Sequence, residues 1–179
     1  MYLKSLDGCL LAIGSYPAFQ YDARGGGGSA VVIKSEKNNI KYIKFAPETF
    51  SIPALTSKTT KFLGLPLLIG LKIQMYLEIL EGTINLDSGE VLLNFESRFI
   101  FSIFTKFHFP SLFVKTCLKT GTVKSDLYQE TGNVVQQNGV AKLVGVACIP
   151  KTGNKALDLF LGLPNEALAI LQCEINIES

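Results

Sequence analysis

The residues able to do chemistry are few and scattered. The only histidine, His108, lies in Phe107–His108–Phe109–Pro110. An imidazole titrates near neutrality and can act as a general base, but no recognisable nucleophile motif surrounds it. A turn or interface position is the plainer reading. Asp22 and Arg24 stand just before four consecutive glycines, Gly25 to Gly28. Loops that cradle phosphate use glycine for close backbone approach, and they also need a following helix whose first amides face the anion. Here the glycines run into Ser29–Ala30–Val31–Val32, which reads as strand, and no Gly-Lys-Ser/Thr follows. A nucleotide loop is not expected. Gly25 to Ser29 also spells a common engineered linker. The favoured reading is a natural flexible turn, with Asp22 and Arg24 paired at a cavity mouth.

Glu78, Glu81, Glu90 and Glu96 fall around one strong hairpin signal. Paired carboxylates run glycoside hydrolysis, but these read more simply as a solvated sheet face. Arg98, one of only two arginines, has Glu96 two residues away on the same face of a strand. As an exterior ion pair the two would contribute little; alternatively they line the polar end of a cavity. The four cysteines, Cys9, Cys117, Cys148 and Cys173, are widely spaced and form no Cys-x-x-Cys pair. Zinc needs clustered ligands, and a disulfide framework is improbable in a domain with this much core. No metal or cofactor is expected, and the thiols point to a reducing compartment.

The elements that must hold these groups are strands punctuated by turns. Ala30–Lys34 and Ile40–Phe45 flank Glu36–Lys37–Asn38–Asn39, a hairpin with turn-tolerant Asn. Ala46 to Thr60 reads as loop. Tyr76 to Leu86 then leads through Asp87–Ser88–Gly89 into an alternating run. Val91, Leu93, Phe95, Phe99, Phe101 and Ile103 share one face, and Asn94, Glu96, Arg98 and Ser102 the other. Phe113–Thr120 and Val140–Ile149 are further strands, the second apolar on both faces, as a doubly covered strand would be. Leu171, Cys173, Ile175 and Ile177 alternate with polar residues in a half-buried last strand. The best helix signal is Asn165–Ile170, opened by Pro164, with a second candidate at Ala156–Leu161. The pattern predicts one all-β domain over residues 1–179, an antiparallel β-barrel or β-sandwich with one or two short helices near the C-terminus.

Composition narrows the function classes. Apolar residues make up 47% and charged residues 18%, against about a quarter charged in ordinary globular chains. The surplus must fill a core, line a cavity, or face a partner or membrane. Net charge is +2 with the lysines dispersed, so the basic face that nucleic acid demands is missing. Met1 to Ala18 makes a poor secretory signal because its apolar run is short and follows Asp7. The greasiest segment, Phe62 to Leu71, is ten residues long and holds Pro66, too short for a spanning helix of about 20.

One pentapeptide recurs. Phe62–Leu63–Gly64–Leu65–Pro66 reappears as Phe160–Leu161–Gly162–Leu163–Pro164. Either a Leu- and Gly-rich chain repeats a short word by chance, or two apolar loops at equivalent ends of a pseudo-symmetric barrel dip into a membrane or gate a cavity.

The segments Leu80–Val91 and Phe160–Leu168 together resemble a group of β-rich proteins from cyanobacteria and plastids, to which no activity is attached. That resemblance implies a photosynthetic, membrane-rich setting: cytoplasm or plastid stroma, peripheral on the thylakoid. The first segment is also similar to the opening of the YceI-type lipid-binding barrels, which implies an isoprenoid-holding barrel by analogy alone. The expected function is non-enzymatic binding of an apolar ligand, a lipid, isoprenoid or pigment. Its expected site is Tyr21, Asp22, Arg24, Phe95, Arg98, Phe99 and Phe101. Membrane contact is expected through Phe62, Leu63, Leu65, Leu67, Leu68, Phe160, Leu161 and Leu163. The alternatives are an assembly protein docking onto a membrane-protein complex through its greasy loops, and an enzyme on apolar substrates using Asp22, Arg24 or His108.

Overall fold

The computed structural model describes residues 1–36, 38–104 and 107–176. Three short strands open the chain: β1 (Tyr2–Ser5), β2 (Cys9–Ile13) and β3 (Phe19–Tyr21). The first hairpin is β4 (Gly27–Ser35) and β5 (Ile40–Phe45), followed by the short β6 (Thr60–Phe62) and β7 (Leu65–Pro66). The long hairpin is β8 (Leu71–Asn85) and β9 (Val91–Ile103), with β10 (Phe107–His108) folded back on its end. Then come β11 (Leu112–Lys119), β12 (Thr122–Lys124), β13 (Gln129–Thr131), β14 (Val140–Ile149), α1 (Lys155–Leu161) and β15 (Asn165–Asn176).

Strands β1, β4, β5, β8, β9, β11, β14 and β15 pair in that order, and β15 pairs back onto β1. The sheet is therefore a closed, antiparallel, eight-stranded barrel, and closure removes the open edges that invite aggregation. Strand β15 is the pivot of the wall. Its last residues, Cys173–Asn176, pair with β1, while Ala167–Ile170 pair with β2. From β2 the sheet continues through β3 and β6 to β7, and Leu55 bridges to Ile73 of β8. One end of the barrel is thus closed by β1, β4 and β5. At the other end, β2, β3 and β6 with the segment before them stand in their place.

The closed end is solid. Leu3, Ile43, Phe45, Ile84, Leu93 and Leu143 meet there with at most 2% of their surface exposed. A bulge between Leu77 and Ile79 shifts the register of β8 against β9. It switches the inward residues from Leu71, Ile73, Met75 and Leu77 to Leu80 and Ile84, so one strand feeds both halves of the interior. The apolar outer face of β14 is covered as its pattern demands: Val144, 0% exposed, packs with Val123 of β12 and Ile170.

Two expectations need correction. Asn165–Ile170 is not helix but the first half of β15, paired residue by residue with β14. Glu166, Ala167, Leu168 and Ala169 are good helix formers, but pairing on both sides outweighs a propensity that is only local. The helix is the second candidate, at Lys155–Leu161, where Asn154 caps the first turn by accepting from the Leu157 N–H at 3.0 Å. The glycine run is a turn only at its start, where the Gly26 N–H donates to the Ala23 carbonyl at 3.0 Å across Arg24 and Gly25. Gly27 and Gly28 are buried in β4, and a Cβ on Gly27 would sit 2.0 Å from the Leu3 carbonyl oxygen. Ile177 and Lys37, placed by spacing in the last strand and the first hairpin turn, lie outside the described residues, as does the Phe107 side chain. Among the described residues no helix is long and apolar enough to cross a membrane.

Candidate ligand-binding cavity

Beyond the solid end the barrel is hollow. The cavity measures about 630 Å³, within the range of small-molecule sites, roughly 300–1,000 Å³. Its origin lies in side-chain size. On β14 and β15 the inward positions Gly145 and Ala169 face each other in register, as do Ala147 and Ala167. Four small residues in two adjoining pairs leave unfilled the space that Leu143 and Leu171, the inward pair one step lower, narrow. Phe95, Phe99 and Phe101 of β9 and Val114 of β11 form the neighbouring wall. Phe95, Phe99, Val114, Ala169 and Leu171 all point inward yet remain partly exposed, because what they face is the cavity.

The lining is almost wholly hydrocarbon and includes no Asp, Glu, Lys, Arg or His. Its few polar groups are largely engaged. The Tyr21 hydroxyl donates to the Pro53 carbonyl, and the Thr116 hydroxyl donates to the Val146 carbonyl at 2.7 Å, tying β11 to β14. The Cys9 sulfur accepts from the Gln172 N–H at 3.3 Å. Burial pushes the Cys9 thiol up to about 11, with Asp7 and Asp22 adding to the rise and the Gln172 backbone bond opposing it. Burial likewise raises the Tyr21 phenol. Both stay neutral at ordinary pH, so the interior carries no charge. Such a site can hold an apolar chain by burial alone.

The expected site residues divide cleanly. Tyr21, Phe95, Phe99 and Phe101 line the cavity. Asp22 and Arg24 are paired, as expected, through Arg24 Nε at 2.9 Å and Nη2 at 2.6 Å from the carboxylate, with Asp7 3.9 Å away. Hydrogen bonds from Arg24 hold the Asp22 carboxyl down at about 2. The pair lies outside the lining, flanking Tyr21 and Ala23. Arg98 is placed on the outer face, and the Glu96/Arg98 lining is corrected accordingly. Its Nε lies 2.5 Å from Glu78, not Glu96, which pairs with Lys115 across β11. Alternation forces this: if Phe95, Phe99 and Phe101 point in, residues 96 and 98 point out. His108 is exposed and also outside the lining.

The repeated pentapeptide proves to be two different structures at the same end of the barrel. Phe62–Pro66 is a tight hairpin, Phe62 pairing with Leu65 across Leu63 (φ 52°) and Gly64 (φ 79°). Positive φ at both central residues is what such a two-residue turn requires. In Phe160–Pro164 the helix α1 ends on Gly162 in the left-handed conformation. Both copies border the cavity, but no symmetry relates them. Phe62 stacks on Phe19 with ring centroids 4.7 Å apart. Leu67, Leu161 and Leu163 are buried, whereas Leu63, Leu65, Leu68 and Phe160 are exposed.

Sequence reasoning missed Leu11, Ile13, Phe19, Leu55, Ile73, Met75, Ala167 and Ala169 as lining residues. The small pair at Ala167 and Ala169 was visible as letters but was read as helix. The strands β2 and β3 are too short to show a period. Among the described residues, no three His, Cys, Asp or Glu side chains gather to hold a metal. Compared with known proteins, the chain matches no protein-family model, no curated protein and no solved structure.

Proposed function

We propose that this protein is a non-enzymatic carrier of an apolar small molecule, an acyl lipid or isoprenoid, held inside the barrel. The observation that carries the reading is the cavity of about 630 Å³ whose lining is hydrocarbon and free of charged side chains. Burying each methylene of a ligand there is worth about 0.8 kcal/mol, so a chain of a dozen carbons has ample driving force even after the cost of immobilising it. The absence of charge from the lining assigns any polar head of the ligand to the mouth. A membrane-rich setting, such as the stromal face of a thylakoid, would supply such ligands.

The test is direct. Organic extraction and native mass spectrometry of the purified protein should recover a bound lipid or isoprenoid. Titration with a fluorescent fatty acid should saturate at one site and be competed by unlabelled chains. Recovery of nothing, together with no saturable probe binding, would overturn the proposal.

A further inference from the structure

We infer that the open end of the barrel docks on an anionic phospholipid bilayer, with the lip around the cavity mouth inserted among the lipids. Leu63, Leu65, Leu68 and Ile69 on one side and Leu159 and Phe160 on the other leave 60–83% of their surface in water. Isolated exposed leucines are ordinary, but a cluster of this kind marks an interaction surface. Its position specifies the occupant: Leu63, Leu65, Leu68 and Phe160 also line the cavity, so the apolar surface outside is continuous with the apolar surface within. A lip seated in lipid would join the cavity to the hydrocarbon phase, and a water-insoluble chain could enter without crossing water. That last step rests on the carrier reading; the docking itself does not.

Charge selects the kind of bilayer. Between Glu48 and Glu78 the chain has no acidic residue, while it places Lys58, Lys61 and Lys72 on and beside the lip. Lys151, just before α1, and Lys155, its first residue, stand exposed on the other side. Among the described residues, the recorded ion pairs engage none of these five lysines. The one carboxylate of α1, Asp158, is turned inward on its own loop, accepting from the Thr152 hydroxyl at 2.6 Å and the Thr152 N–H at 2.7 Å. Lys151 is near enough to Asp158 to lower its pKa, but an apolar lip with a collar of ammonium groups outside close ion pairs is the pattern that binds anionic headgroups and acyl chains together. The opposite end of the barrel has an exposed apolar group as well, Val31 and Ile33. It adjoins the Lys34–Glu36 ion pair and is not continuous with the cavity.

Flotation of the intact protein with vesicles tests the inference. Vesicles of phosphatidylcholine containing phosphatidylglycerol should carry the protein upward, and pure phosphatidylcholine vesicles should do so much more weakly. The double variant Ile69→Asp/Leu159→Asp changes only exposed positions outside the cavity lining and should lower partitioning by about tenfold or more. Lys61→Gln should lower it by about fivefold, on anionic vesicles only. Val31→Asp/Ile33→Asp should leave it unchanged. Failure of the wild-type protein to float, or equal loss in the Val31/Ile33 variant, overturns the docking inference. Probe titration of the same proteins in solution reports separately on the carrier reading: binding without flotation would sink only the docking, and flotation without binding only the carrier.

Discussion

Whether the barrel is hollow at one end and solid at the other can be tested with two substitutions on the same sheet. Ala169 and Ala141 both point inward, Ala169 from β15 beside Gly145 and Ala141 from β14 beside Cys173. Ala141 is 1% exposed in the solid end, whereas Ala169 is partly exposed to the cavity that it lines. Replacing either with Phe adds a benzene ring. In the solid end the ring has no room, and overpacking of this kind typically costs about 1–3 kcal/mol. For a chain of this length that lowers Tm by roughly 2–4 °C per kcal/mol. In the cavity the ring removes apolar surface from water, so Ala169→Phe should hold or raise Tm. It should also take the place of part of the ligand. If about four methylenes of a bound chain lose their site at ~0.8 kcal/mol each, about 3 kcal/mol of binding is lost, on the order of a hundredfold in Kd. Thermal denaturation and fluorescent fatty-acid titration read the two effects independently. If Ala169→Phe destabilises as much as Ala141→Phe, the void that the four small residues create does not exist, and the reasoning from it fails.

Other expectations concern the frame around the cavity. Leu143→Ala, at 0% exposure in the solid end and outside the cavity lining, should cost about 2–5 kcal/mol by urea denaturation while leaving probe affinity nearly unchanged. Asp22, held down at about 2 by Arg24, should return toward 3.8 in an Arg24→Gln variant, as followed by carbon NMR of the carboxyl. Because its folded pKa lies below the unfolded value, the stability it contributes is present above about pH 4 and lost as pH falls through 2. Glu166 accepts from the Ser125 hydroxyl at 2.7 Å and the Leu127 N–H at 3.0 Å, and these bonds lower its pKa below the usual 4.5. Glu166→Gln should therefore speed hydrogen exchange at Leu127, and the wild-type protein should show the same loosening as acid protonates the carboxylate. A maleimide should label exposed Cys148 first, with Cys9 and Cys173, pushed up to about 11 and about 12 by burial, protected until the barrel unfolds.

Much of the fold was legible because alternation is a local property. A strand with one face on the core repeats every two residues, and Val91 to Ile103 displays that repeat without help from any other segment. The hairpins around Asn39 and Gly89 were legible for the same reason, as their turns are set by a few neighbouring residues. The double cover of Val140–Ile149 could be read because both faces of one strand carry apolar side chains. Apolar content beyond the needs of a compact core pointed to a cavity or an outer surface without saying which, and Tyr21, Phe95, Phe99 and Phe101 were already named as its lining.

Tertiary structure alone decided the rest, because those features depend on register between distant segments. Gly145 faces Ala169, and Ala147 faces Ala167, only once β14 and β15 align, and a void exists only where small residues from separate strands coincide. The same pairing turned a helix-forming stretch into the first half of β15. Arg98 was set outside the barrel by the side on which the Phe stripe closed, and its partner became Glu78 through a bulge in β8 that no local pattern announced. The two identical pentapeptides came to one rim as a hairpin and a helix end, since five residues do not dictate a conformation that the strands on either side impose. Residue identity set what each strand could bury; the pairing of strands far apart in the chain set what was left empty.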